Sequence, residues 1–99
     1  MRLALDATEF VEVPIVVAED PTGDAVELAI VDVWAAPTDV DFVAGSWDPA
    51  TTSSPYTARV LVGPDGDVEL EARGWHAVHW RVTDNPEVPV RSAGLLFAW

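Results

Sequence analysis

Short apolar segments separated by turn residues alternate along the whole 99-residue chain. The segments are rich in valine, isoleucine, tryptophan, phenylalanine and threonine, and none sustains the 3.6-residue periodicity of an amphipathic helix over about ten residues. Turn residues recur at short intervals, in the stretches 20–24, 36–39, 63–67 and 84–86. This spacing is typical of an all-β sandwich or barrel, and we predict a single immunoglobulin-like β-sandwich domain of about seven strands.

The segments with the composition of strands are 10–18, 26–34, 40–44, Tyr56–Val62, 68–70, 75–83 and 94–99. Pro14 places the first at a sheet edge or a bulge, because proline lacks the amide hydrogen that a central strand donates. The second is apolar almost throughout, which predicts burial on both faces. Asp65 and Gly66 can close a hairpin into 68–70. Residues 1–8 form either a free arm or a further strand.

Two histidines, His76 and His79, lie in the strand that alternates best and raise the question of a metal or catalytic site. Strand residues three apart point to opposite faces, so the two imidazoles cannot act on one ligand without a bulge between them. We therefore interpret His76 as a core-side residue on the face of Val78, and His79 as a residue of the other face. Together with Leu70 and Gly74, His76 also has the spacing of an immunoglobulin-like corner, in which an aromatic polar residue precedes a buried residue by two.

The composition of the chain, which is acidic and free of cysteine, excludes several classes of function. The net charge is −12, from 17 acidic residues against five arginines, and repulsion excludes nucleic acid and disfavours anionic membranes as partners. The absence of cysteine removes disulfides, thiolate catalysis and cysteine-ligated zinc. The first residues lack the apolar region of a signal peptide, and no apolar run approaches the roughly 20 residues that span a bilayer. We expect assembly in the cytoplasm.

Catalytic and metal-binding motifs are weak, and we predict no enzyme, no metal and no cofactor. Two acidic stretches, 39–48 and 65–67, could offer oxygen ligands to calcium, but neither fits the twelve-residue calcium loop. Aspartate also stabilises its own turn, which explains such clusters without a metal. The serine pair at 53–54 lacks a G-x-S-x-G motif, and the glycine turn at 63–66 is acidic, the wrong sign for a phosphate site.

The five tryptophans exceed what a small sandwich can bury. We predict core packing for Trp34 and Trp80, which lie within apolar strands. Trp47 in a polar loop, Trp75 at a strand start and Trp99 in the last position are equally consistent with core and with interface, since aromatic residues concentrate at protein interfaces.

A proline-punctuated turn after the histidine strand is the second candidate interface. It contains Pro86, Glu87, Val88 and Pro89 and leads to Arg91. The prolines restrict its backbone, and an arginine at each end, Arg81 and Arg91, could clamp the acids of the turn in charge-assisted pairs. The turn is then either a rigid structural element or an exposed element that docks a neighbour.

Four short motifs follow one another in the second half of the chain: Y-T-A-x-V, a G-P-x-G turn, G-W-H-A-V-x-W-R-V-T-D and P-E-x-P-V-R-x-A-G-x-L. From Tyr56 to Leu96 the chain therefore resembles the C-terminal half of small all-β proteins in the structural gene cassettes of tailed bacteriophages, especially those of actinobacterial hosts. The resemblance implies a non-enzymatic virion component on the capsid, at the head–tail junction or on the tail. It implies a docking role only for the matching segment 86–91.

Two functions from different classes follow. The first is a phage virion structural protein, present in many symmetric copies, whose buried apolar surface binds other capsid or tail subunits and whose charge sets specificity. The alternative is an immunoglobulin-like ligand-binding or adhesion module of a tail, in which Trp47 and Trp75 stack on sugar rings. A hydrolase that uses His76 or His79 ranks last.

Overall fold

Two β-sheets make up the fold in the computed structural model, which describes residues 1–17, 19–83 and 90–99. The strands are β1 (Arg2–Leu3), β2 (Glu9–Ile15), β3 (Val26–Asp32), β4 (Phe42–Ala44), β5 (Ser46–Trp47), β6 (Tyr56–Val62), β7 (Gly74–Val82) and β8 (Val90–Ala98). One 3-10 helix, Asp39–Asp41, precedes β4. Within the described residues there is no α-helix and no helix suited to crossing a membrane. The all-β prediction is confirmed.

The two sheets differ in width and enclose one core. The larger has the strand order β1-β8-β7-β3-β4 and the smaller the order β2-β6-β5. All paired strands are antiparallel except β1, which runs parallel to β8. The core cluster takes side chains from both sheets: Leu3, Val11, Val13, Ile15, Val26, Leu28, Ala58, Val60, Val62, Val78, Val82 and Leu96. The sheets therefore pack with their inner faces together, in a sandwich-like arrangement.

Strand β2 lies at an edge of the smaller sheet, as Pro14 predicts. It pairs only with β6, with Pro14 opposite Thr57. Its inward side chains are buried and the residues between them are exposed, which is the period of two expected for a strand with one solvated face. The strand ends at Ile15, before the predicted boundary at 18.

Strand β3 lies between β7 and β4 in the larger sheet, and its register with β7 is regular from Val26 opposite Val82 to Asp32 opposite His76. The strand ends earlier than the apolar run, because the Asp32 carboxylate accepts a hydrogen bond from the Trp34 amide (2.9 Å) and begins a turn. Trp34 lies beyond the sheet and is 92% exposed. The prediction that Trp34 packs in the core is wrong.

The segment after β6 forms a tight turn instead of the predicted hairpin. Gly63 donates its amide to the Val68 carbonyl (2.8 Å), and the Val68 amide donates to the Leu61 carbonyl (3.1 Å). Val68 makes only an isolated bridge with Val62, so the predicted strand at 68–70 is wrong. Val68 and Leu70 still pack against the core, which explains why their apolar character resembles that of a strand.

Two boundaries in the middle of the chain differ from the prediction. Residues 39–41, expected to lie in or beside a strand, form the 3-10 turn because the Asp41 carboxylate accepts hydrogen bonds from the Thr38 amide (2.8 Å) and hydroxyl (3.0 Å). The loop predicted at 46–55 begins with the short strand β5, which pairs Trp47 with Ala58.

The N-terminal segment is anchored as a strand. Arg2 pairs with Phe97 and Leu3 with Ala98, and Leu3 is 2% exposed in the core. Further along, the Thr8 hydroxyl donates to the Pro64 carbonyl (2.6 Å). Residues 1–8 therefore connect β8 to the turn after β6.

Gly63 is the position where this connection is most sensitive to substitution. It has a φ of +128°, and a Cβ atom there would overlap the carbonyl oxygen of Ala7. We expect Gly63→Ala to lower the free energy of unfolding by about 3 kcal/mol or more, since the strained backbone and the overlap both add to the cost. Gly74→Ala is the matched control, because Gly74 has a similar φ of +115° with open space around it, and we expect a loss of about 1 kcal/mol. Urea denaturation measures both, and equal losses would contradict the close approach of Gly63 to Ala7.

Candidate functional site

The outer face of the larger sheet is the surface on which exposed apolar side chains collect. Side-chain alternation and the strand register assign to this face residues of β1, β3, β4, β7 and β8. Glu27 is the only acidic residue among these strand positions, although the chain has 17 acids. The described sheet thus offers a large surface of low charge on a strongly acidic protein.

An aromatic patch, defined as Trp75, Leu95, Phe97 and Trp99, occupies one end of this face. The rings of Trp75 and Phe97 are in contact, with centroids 4.9 Å apart and planes tilted by 50°. Trp75 is 55% exposed, Leu95 47% and Trp99 55%. Trp99 continues the line of β8 by donating its amide to the Leu3 carbonyl (3.0 Å), so alternation directs its side chain to the face of Phe97.

The patch lacks the arginine cover that other aromatic rings of this protein have. The Arg81 guanidinium lies 4.1 Å from the centroid of the Phe42 ring, and the Arg59 guanidinium lies 4.6 Å from that of Phe10. Among the described residues, no such contact is made to Trp75 or Phe97. Exposed aromatic surface of this kind is enriched at protein interfaces.

Arg81 closes the opposite end of the outer face. Its Nε donates to Glu27 (3.0 Å) and its Nη1 to Asp39 (2.8 Å). The hydrogen bond with Glu27 is the main cause that raises the pKa of Arg81 above its ordinary value. The predicted clamp on the acids of the turn involves residues outside the described ranges, but the guanidinium of Arg81 already has these two partners.

The two histidines lie on opposite faces of β7, in keeping with their odd spacing. His76 is opposite Asp32 and Leu96, and its Nε2 lies 3.0 Å from the Ala72 carbonyl oxygen. His79 is opposite Ala29 on the outer face, where its Nε2 is shielded from solvent and has no hydrogen-bond partner among the described residues. The register shift beside His79 falls in β8, not in β7, so it does not bring the imidazoles together.

The acidic stretch 39–48, one of the two considered for calcium, uses its carboxylates in hydrogen bonds and an ion pair within the protein. Asp39 pairs with Arg81, Asp41 binds Thr38, and the Asp48 carboxylate accepts the Ala50 amide (2.9 Å). In the three ranges that the structure describes, no group of three or more histidine, aspartate or glutamate side chains is arranged to hold a metal ion.

Trp47 and Trp75, the proposed sugar-stacking pair, lie at opposite ends of β7. The Trp47 indole donates to the Asp24 carbonyl (2.9 Å) beside the start of β3, where Val26 meets Val82. Trp75 is at the other end of that strand, roughly 20 Å away along it. Trp47 also packs against the core and lines a pocket of about 350 Å³, so the two tryptophans cannot stack on one small sugar.

The remaining predicted interface residues fall in part outside the described structure. Pro86, Glu87, Val88 and Pro89 lie in the gap between 83 and 90. Arg91 is exposed in β8, opposite the half-buried Trp80, which packs against the core as predicted.

Leu95 and Phe97 were not predicted as interface residues. Their signal was in the sequence, because the segment 95–99 is apolar at every position and a strand there must turn some apolar residues outward.

Comparisons with known proteins identify no relative of this chain. No protein-family model matches the sequence, and searches of curated proteins and of solved structures return no significant match. The candidate site rests on the geometry of the outer face.

The charge of Asp39 and the packing of Arg81 on Phe42 are expected to contribute unequally to stability. Asp39 is 95% exposed, and we expect Asp39→Asn to change the free energy of unfolding by less than about 0.5 kcal/mol, because exposed ion pairs contribute little. Arg81→Ala also uncovers Phe42, and we expect a loss of about 2 kcal/mol. Urea denaturation at low and high salt measures both variants. A loss for Asp39→Asn as large as that for Arg81→Ala would show that charge, and not packing on Phe42, is the dominant contribution.

Proposed function

We propose that this protein is a non-enzymatic virion structural protein of a tailed bacteriophage, present on the capsid or at the head–tail junction and bound to other virion subunits through the outer face of its larger sheet. It is assembled in the host cytoplasm in many symmetric copies. The proposal depends on one observation, the exposed aromatic patch of Trp75, Leu95, Phe97 and Trp99. Phage origin is supported by the sequence resemblance between Tyr56 and Leu96.

The outer face carries few acidic residues, and this makes it a suitable contact surface for a protein whose net charge is −12. Copies or partners that approach through the acidic loops would repel one another, whereas the outer face meets a neighbour with apolar surface. Burial of aromatic and aliphatic side chains then supplies the affinity, and the surrounding acids restrict which orientation is accepted.

We further propose an immunoglobulin-like topology for the sandwich. Named in chain order, β2 to β8 correspond to strands B, C, C′, D, E, F and G, and the two sheets then have the orders G-F-C-C′ and B-E-D. The first strand lies beside G. His76 lies two residues before the fully buried Val78, and its imidazole contacts the Ala72 carbonyl. In immunoglobulin-like domains, a tyrosine of strand F occupies the same position relative to a buried residue and hydrogen-bonds to the backbone a few residues upstream.

A ligand-binding or adhesion module of a tail is the second candidate, and the pocket beside Trp47 favours it. The pocket of about 350 Å³ combines Trp47 and Tyr56 with the oxygen-bearing side chains of Asp48, Thr51 and Thr52, the kinds of side chain that bind sugars by stacking and hydrogen bonding. Saturable glycan binding by the purified protein, combined with its absence from the capsid and the head–tail junction, would favour this function.

The location of the protein in particles tests the leading proposal. Mass spectrometry of purified virions from the phage that encodes the chain should detect it among the structural proteins, and its absence from virions would overturn the proposal. Leu95→Asp introduced into that phage should lower incorporation by about tenfold, because it places an unpaired charge within the patch.

Val40→Asp is the matched control for the Leu95 variant. Val40 is a 90% exposed aliphatic residue outside the outer face, and its change to aspartate should leave incorporation unaltered. Both purified variants should keep the thermal midpoint of the wild type within a few degrees, since neither side chain belongs to the core. Equal incorporation of the Leu95 and Val40 variants would exclude the aromatic patch as the contact surface.

A further inference from the structure

The unequal width of the two sheets leaves part of the larger sheet's inner face uncovered. The smaller sheet has three strands and its edge strand β2 ends at Ile15. At the C-terminal half of β8, strand β1 and the buried Leu3 complete the core. At the N-terminal half, no strand of the described residues covers the inner side of β7 and β8.

A groove of about 640 Å³ occupies this uncovered region, and we name it the edge groove. Its apolar lining includes Val16 and Val17, which follow β2, and Trp80 and Val82 of β7. Its outer wall is the start of β8, at Arg91 and Ser92. Val16 is 80% exposed, so apolar surface that a complete sandwich would bury faces solvent here.

Among the described residues, no strand pairs with the outer edge of β8 beside the groove. Strand β1 pairs with Phe97 and Ala98 only, and the last contact of this segment is made by Met1 with Leu95. Residues 90–92 therefore have β7 on one side and no described strand on the other, and Ala93 is the bulged residue before Gly94. The same edge of β8 already accepts a parallel strand where β1 lies, and no proline occurs between 90 and 99. The β2 edge, by contrast, carries Pro14, which hinders strand addition.

The charges at the groove define the chemistry of an occupant. Glu19, Asp20 and Asp24 line it against the single guanidinium of Arg91. Hydrogen bonds from the Thr22 hydroxyl and amide hold the pKa of Asp20 below its ordinary value, so this carboxylate stays charged at neutral and mildly acidic pH. A groove lined in equal parts by apolar and polar residues, with excess negative charge, is complementary to a segment that carries both apolar and cationic side chains.

We propose that the edge groove receives an extended segment of a neighbouring subunit, which adds as a strand to residues 90–93 of β8 and places the apolar and basic side chains of one strand face against Trp80, Val16 and the acidic rim. Strand addition of this kind uses backbone hydrogen bonds for affinity and side-chain pockets for specificity. The identification of the donor as a virion subunit rests on the proposed function, but the groove and its ligand chemistry do not.

A peptide titration tests the groove directly. The probe is a blocked peptide of sequence Val-Thr-Val-Arg-Val-Thr-Arg, added to the purified full chain. We expect saturable binding by calorimetry, with slowed amide exchange by NMR at residues 90–93. The same peptide with glutamate in place of arginine should bind about tenfold more weakly, and a version with proline at its central positions should not bind, since it cannot form the backbone ladder.

Matched valine variants locate the site. Val16→Arg places a cation in the groove and should weaken peptide binding by about tenfold or more. Val40→Arg adds the same charge at an equally exposed valine away from the groove and should leave binding within about twofold. Equal weakening by both variants, or binding of free arginine amide as tight as that of the peptide, would overturn strand addition.

Fusion of the peptide to the protein allows the groove to be tested even if the free peptide binds weakly. Because β1 is parallel to β8 and pairs Arg2 with Phe97, the same peptide sequence fused before Met1 through a short glycine linker would run beside Leu95 toward Val90. Tethering gives an effective concentration in the millimolar range, so we expect slowed amide exchange at residues 90–93 and a raised thermal midpoint, both abolished by Val16→Arg. No protection by either the free peptide at about 1 mM or the tethered strand would overturn the proposal.

The two proposals fail independently. The peptide experiments use only the purified chain and probe the edge groove, whereas the Leu95 variant probes the outer face in particles. Peptide binding by a chain absent from virions would keep the groove and reject the virion function. If incorporation into virions depends on Leu95 but no peptide binds, the virion function is kept and the groove proposal is rejected.

Discussion

Burial of one aliphatic core between two sheets of unequal width is the constraint on which the rest of this structure depends. Twelve side chains from both sheets form that core, and the register of β3 with β7 fixes which residues face it. Five strands cannot be covered by three, so the larger sheet keeps an open groove at one edge of its inner face. The absence of any described layer on its outer face leaves the aromatic patch in solvent. Only the groove is a consequence of the mismatch in width.

Charge is distributed unevenly between these surfaces and the turns. The acids are concentrated in turns, where Asp20, Asp32, Asp41 and Asp48 accept hydrogen bonds from nearby backbone amides. Two of the five arginines cover aromatic rings on the outer faces of the sheets. The patch around Trp75 has no such cover in the described structure, and its rings form the surface that we propose binds a neighbouring subunit.

Several elements were predictable because their signal is local. Pro14 limited its strand to a sheet edge or a bulge, composition between turns located β6, and alternation located β7. The odd spacing of His76 and His79 put them on opposite faces without any knowledge of the fold. The errors have a common physical cause. Trp34 and the segment 68–70 are apolar, and apolarity alone does not distinguish a strand from a turn whose side chains rest on the core or extend into solvent. A carboxylate at Asp32 and the turn at Gly63 decided these cases through hydrogen bonds that depend on three-dimensional placement.

The sequence by itself determined the all-β class, the positions of the main strands, the acidic character and the separation of the histidines, because these depend on periodicity, composition and residue spacing. Only the tertiary structure decided that Leu95 and Phe97 join Trp75 on one exposed face, that Trp47 and Trp75 lie at opposite ends of β7, and that an uncovered groove lies beside β8. These features depend on which strands become neighbours. Strand order is set by packing between residues distant in the chain, and no local pattern encodes it.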